Sequence, residues 1–76
     1  MIYCNRIDAH DDHAMYAYGP SPNDLTGRMT VYADDRHYSI DRKHDGLGEN
    51  WVCRVCIKYK ESLRKKEFPE RMAVEI

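Results

Sequence analysis

Residues 50–67 read NWVCRVCIKYKESLRKKE, and the periodicity of this stretch decides how the rest of the chain can fold. Placed at 100° per residue, Trp51, Val52, Val55, Cys56, Tyr59 and Leu63 share a stripe about 140° wide, while Arg54, Lys58, Lys60, Glu61, Arg64 and Lys65 fill most of the remainder. Asn50 stands where a capping residue belongs and Pro69 follows the last charges, so the pattern predicts one long helix over residues 50–67. Ile57 departs from the pattern, an apolar side chain among charges, with Cys53 beside it. The apolar stripe must be covered, and the flanking sequence offers strands to cover it.

Met1–Ile7 is rich in β-formers and apolar on both faces, which predicts a central strand. Asp8–His13 is too charged to continue it, and Ala14–Tyr18 reads as a second strand ended by Gly19-Pro20. Ser21-Pro22-Asn23-Asp24 has a cap residue, a proline at the first helical position and an acid three residues after the cap, so one helical turn is expected there. Residues 28–33 and 37–42 both alternate. A hairpin with its loop at 34–37 pairs Ala33 with Tyr38 and Val31 with Ile40, putting Met29, Val31, Ala33, Tyr38 and Ile40 on one face. Thr30, Tyr32, Ser39 and Asp41 then share the face left in water. Met72, Val74 and Ile76 alternate in a last strand beside the first. The expected fold is α+β, in the order β-β-(short turn)-β-β-α-β: a small, mostly antiparallel sheet of four to five strands with the long helix on one face, forming a single domain over residues 1–76.

Composition narrows the class. Leu, Ile, Val and Phe number 13 of 76 residues, but a net charge of −1 argues against disorder. Six tyrosines, four methionines and Trp51 must supply apolar area, and tyrosine hydroxyls place many of these rings at core edges or interfaces. So small a core gains from a staple or from self-association. Charge is uneven: residues 1–50 carry 5 basic and 9 acidic side chains, residues 51–76 carry 7 and 4. Such a dipole suits pairing with itself or with a charged partner. No apolar run of membrane-spanning length and no charged-then-apolar leader is present, and three cysteines, an odd number, make no disulfide framework. A cytosolic protein is expected.

Three motifs could carry chemistry. Trp51–Cys56 contains a Cys-x-x-Cys that resembles the redox dithiol of thioredoxin-like proteins, but a valine separates the tryptophan from the first cysteine and that fold needs a longer chain. Cys56 also lies on the apolar stripe, where a thiol serves as a small hydrophobe. Cys4, Cys53 and Cys56 with His10 or His13 could supply four zinc ligands, although structural zinc usually takes its Cys-x-x-Cys from a turn. Asp8-Ala9-His10-Asp11-Asp12-His13 is similar in spacing to the His-x-His-x-Asp-His motif of metallo-β-lactamases, with Asp8 at the first histidine, over six residues of a chain far smaller than that fold. A solvated acidic loop explains it. His37 and His44 have no sequence-level partner, and no phosphate-binding loop or nucleophile arrangement can be named.

These observations predict a non-catalytic cytosolic protein-interaction, inhibitor or accessory module of a bacterium or mobile element. It would act as a homodimer or on another protein and need no cofactor. The expected surface is Ile57 with Arg54, Lys58, Lys60, Arg64 and Lys65 on the helix and Tyr32 on the sheet. One alternative is nucleic-acid binding through the same basic face, with open-sheet tyrosines stacking on bases. The other is a zinc-stapled module.

Overall fold

The computed structural model describes residues 1–34 and 37–75. In chain order it has strands β1 (Ile2–Ala9), β2 (His13–Gly19), β3 (Gly27–Tyr32) and β4 (Tyr38–Arg42), helices α1 (Trp51–Lys58) and α2 (Lys60–Arg64), and strand β5 (Arg71–Val74). The strands form one sheet in the order β4-β3-β2-β1-β5, with every neighbouring pair antiparallel. The class is α+β, as the alternation and the amphipathic segment predict.

Side chains alternate across the sheet. Ile2 and Cys4 of β1, Tyr16 and Tyr18 of β2, Met29 and Val31 of β3, and Met72 and Val74 of β5 are buried, and α1 lays Trp51, Val52, Val55 and Cys56 into the same cluster. Each fully buried aliphatic side chain stabilises by roughly 1.5–3 kcal/mol. Tyr3, Tyr32, Tyr38 and Tyr59 are half-buried, and the two exceptions to the expected marginal placement are Tyr16 and Tyr18, both 0% exposed. Burial is tolerated because both hydroxyls are bonded. Tyr16 donates to the Pro69 carbonyl at 2.6 Å, while Tyr18 accepts the His44 N–H at 3.0 Å and donates to the Arg42 carbonyl at 3.4 Å. Above the Tyr18 ring stands Trp51, centroid to centroid 4.8 Å. Across from it is Gly27, where a Cβ would lie 2.4 Å from ring atoms.

Five expectations are corrected. The predicted helix over residues 50–67 is two short helices meeting at Tyr59, whose φ of −107° and ψ of 20° interrupt the first, and Lys66 ends the second with a φ of 60°. Asn50 makes no side-chain cap bond; the Val52 N–H is met by the Glu49 carbonyl at 3.1 Å. Ser21–Asp24 is a turn closed by Asp24 N–H to Ser21 C=O at 2.9 Å and by Asn23 N–H to Ser21 Oγ at 3.1 Å, not a helical turn. The hairpin pairs Val31 with Tyr38 and Met29 with Ile40, two residues away from the predicted register. Sliding by two keeps every side chain on its face. Charge also fails to stop β1 at Ile7: the strand bulges between Arg6 and Asp8 and continues to Ala9. Ile76, expected on the β5 apolar face, lies outside the described residues, as does the middle of the 34–37 loop.

Candidate interaction surfaces

Antiparallel pairing dictates which backbone groups of an edge strand point away from the sheet. The Arg6 N–H donates to Glu70 C=O at 2.8 Å, so Cys4–Met72 and Ile2–Val74 are the hydrogen-bonded pairs of β1 and β5, and Arg71, Ala73 and Glu75 point outward. Side chains from α1 and the helix junction cover much of this edge. The Tyr59 hydroxyl accepts the Ala73 N–H at 3.0 Å and donates to Ala73 C=O at 3.4 Å, Lys58 Nζ donates to the same carbonyl at 2.8 Å, and Arg54 Nη1 donates to Glu75 C=O at 3.1 Å.

This divides the predicted basic surface. Arg54 and Lys58 are turned toward the β5 edge, whereas Lys60 and Lys65 are exposed on α2 and just beyond it, and Arg64 ends α2 with a bonding partner of its own. Ile57 is 73% exposed, against 53% for Ile7, 51% for Met1 and 36% for Met15, so it is the most prominent large apolar side chain among the described residues. Beside it the break at Tyr59 opens a shallow groove of about 430 Å³ lined by Ile57, Lys58, Tyr59, Lys60, Glu61 and Ser62. A second groove, about 570 Å³, lies along β5 between Tyr3, Asn5, Pro22, Tyr59 and Arg71.

The opposite face of the sheet carries no helix. Tyr3, Met15, Ala17, Thr30, Tyr32, Ser39 and Asp41 alternate onto it. It is drier than its sequence predicts: Thr30 is buried and donates from Oγ1 to Asp41 Oδ2 at 2.7 Å, and Ser39 Oγ donates to Asp41 Oδ1 at 2.9 Å. Tyr32 is half-buried against the His13 ring at 5.6 Å.

The acidic and histidine-rich segment forms the tip of the β1–β2 hairpin, where its members satisfy one another. Asp8 Oδ2 meets His10 Nε2 at 3.0 Å, Asp12 Oδ1 meets His13 Nδ1 at 2.7 Å, and the two imidazoles stack 4.6 Å apart. The hydrogen bond from His13 holds the exposed Asp12 carboxyl below its ordinary range. Cys4, Cys53 and Cys56 form no disulfide among the described residues. Cys4 and Cys56 are buried and Cys53 is exposed. Among the described residues no group of three or more His, Cys, Asp or Glu side chains is arranged to hold a metal. The zinc set of Cys4, Cys53, Cys56, His10 and His13 is divided between the core, the helix surface and the hairpin tip.

A pair that sequence reasoning missed joins the linker after β4 to the β2–β3 turn. His44 Nε2 lies 3.2 Å from both carboxylate oxygens of Asp24, and its side chain is 11% exposed with Nδ1 buried and unpartnered. A separation of 20 positions hides the pair from a local reading. No helix among the described residues is long and apolar enough to cross a membrane. Comparison with protein-family models, curated proteins and solved structures gave no match.

Proposed function

We propose that this chain is a small non-catalytic, cytosolic protein-interaction module that docks another protein through the outer surface of α1 and the α1–α2 junction, centred on Ile57. The observation that carries the reading is the exposure of Ile57, 73%, on a helix whose other apolar side chains are buried. An apolar anchor inside a charged rim is how interface hot spots are built, with the anchor supplying affinity and the rim steering approach. Lys60 and Glu61 border the groove, with exposed Lys65 beyond them, and the surplus of lysine favours a partner whose apolar pocket is bordered by acidic residues. The buried tyrosine hydroxyls, which could otherwise serve chemistry, are bonded to backbone groups, which fits a binding role. Nucleic-acid binding through the same face draws less support, because Arg54 and Lys58 are committed to the β5 edge.

Ile57→Glu tests the reading. Partners retained by the wild-type chain from its source cells should be lost, Ile57→Leu should retain them, and circular dichroism and melting should be unchanged in both. Equal capture by Ile57→Glu and wild type would falsify it.

A further inference from the structure

The two edges of the sheet present the same kind of backbone, and the fold treats them differently. The Tyr32 N–H donates to His37 C=O at 3.2 Å, which makes Thr30–Ser39 the next hydrogen-bonded pair. Ser39 therefore faces β3, while Tyr38 and Ile40 direct their N–H and C=O groups away from the sheet. Beyond Ile40 the ladder is bulged, Arg28 pairs with Arg42, and the Arg42 carbonyl turns inward to the Tyr18 hydroxyl. At β5, Lys58 and Tyr59 cover both outward groups of Ala73 and Arg54 covers the outward carbonyl of Glu75. At β4, among the described residues, no hydrogen bond reaches those of Tyr38 or Ile40. An uncovered edge is a template for another strand.

We infer that β4 is a self-association edge, where a second copy of this chain adds its own β4 antiparallel about a two-fold axis through Ser39, joining the two sheets into one. The register follows from the backbone. Among the described residues of β4 two, Tyr38 and Ile40, point their backbone groups outward, so a pairing that uses both sets Tyr38 opposite the second copy's Ile40, Ile40 opposite its Tyr38, and Ser39 opposite its Ser39. The side chains agree with this register. Tyr38 beside Ile40 is an aromatic and β-branched cross-strand pair, Ser39 meets a side chain as small as itself, and Asp41 meets the second copy's His37 rather than another acid. Over residues 37–41 no like charges face each other. A one-residue slip would turn the half-buried Tyr38 and Ile40 away from the second copy's equivalents and lose all of these pairings. The seam is short, so the dimer is weak and concentration-dependent. This goes beyond the docking role of Ile57 and does not share its residues, so the two can fail separately.

The test is cross-linking. In an antiparallel pair that is not hydrogen-bonded, facing Cα atoms lie about 4.5 Å apart, within disulfide reach. Ser39→Cys in a Cys53→Ser background, treated with diamide, should form a disulfide-linked dimer much faster than the wild-type chain, whose exposed thiol is Cys53. Adding Ile40→Pro, which deletes an N–H unbonded within the chain, should abolish the advantage. In the unaltered chain, amide exchange at Tyr38 and Ile40 should slow as concentration rises. Cross-linking through Ser39→Cys no faster than through Cys53, or exchange at Tyr38 and Ile40 that ignores concentration, would overturn the inference.

Discussion

Tyr59 holds Ala73 by both of its backbone groups, its hydroxyl accepting the N–H at 3.0 Å and donating to the C=O at 3.4 Å. The residue that interrupts the helix is thus also the residue that closes the edge of the sheet, and the two facts have one cause. To reach Ala73 the ring must leave the regular helical path, and the helix restarts as α2 one residue later. Tyr59→Phe keeps the ring and removes the hydroxyl. The expected cost is about 1–2 kcal/mol, because the Ala73 N–H loses its partner while the Ala73 C=O keeps only Lys58. Urea denaturation should show a lower midpoint at unchanged slope, and the Ala73 amide should exchange faster.

Gly27 makes room for the ring that roofs the other end of the core. A Cβ there would meet Tyr18 ring atoms at 2.4 Å, whereas nothing lies within 4 Å of one at Gly48. Tyr18 has no freedom to yield, since it touches Trp51 and its hydroxyl joins Arg42 to His44. Gly27→Ala is expected to destabilise by about 1–3 kcal/mol through overpacking, and Gly48→Ala to change stability by less than about 0.5 kcal/mol. Thermal melting of the two variants side by side checks the difference.

The thiols should separate by reactivity and by pH. Burial pushes the Cys4 thiol up to about 12, and a disulfide-exchange reagent should label Cys53 at once but reach Cys4 and Cys56 only on unfolding. For Cys4 the folded value lies above the unfolded value of about 8.5, so its contribution is complete below pH 8.5 and is lost as pH rises toward 12. The limiting size is on the order of 5 kcal/mol. Burial raises the Tyr16 hydroxyl too and steepens the loss in the same direction. Stability measured by denaturant from pH 8 to 11 should fall, and Cys4→Ala should flatten that fall while lowering the starting value.

Much of this architecture is legible in the sequence because alternation is robust to error. The predicted β3–β4 register is displaced by two residues, yet Met29, Val31, Tyr38 and Ile40 keep the predicted face, since a slide of two preserves side-chain parity. The exposure of Ile57 follows from helical periodicity in the same way. What periodicity cannot supply is the identity of the neighbour. Tyr59 fits the apolar stripe perfectly well, and only a partner 14 residues away draws it off the helical path. Arg54 and Lys58 point away from the core as predicted, but outside the core lies a strand edge as well as water. Ser21-Pro22-Asn23-Asp24 fails for a different reason: its residues serve a tight turn and a helix start equally well.

The division of the basic residues yields the last prediction. Arg54 Nη1 and Lys58 Nζ donate to Glu75 and Ala73 carbonyls of the β5 edge, so Arg54→Ala and Lys58→Ala should act on the fold, each costing up to about 1 kcal/mol and leaving the edge more open to association. Lys60 and Lys65 are exposed, away from the bonds that Arg54 and Lys58 make to that edge, so Lys60→Glu and Lys65→Glu should leave stability within about 0.5 kcal/mol. Their effect belongs to binding: slower association with an acidic partner and a weaker dependence of that rate on salt. Stopped-flow association at low and high salt, beside denaturation curves for all four variants, separates the two classes. Were the partner a nucleic acid, its affinity for the wild-type chain would fall steeply and log-linearly with salt, and Ile57→Glu would change it through charge alone, with Ile57→Ala neutral.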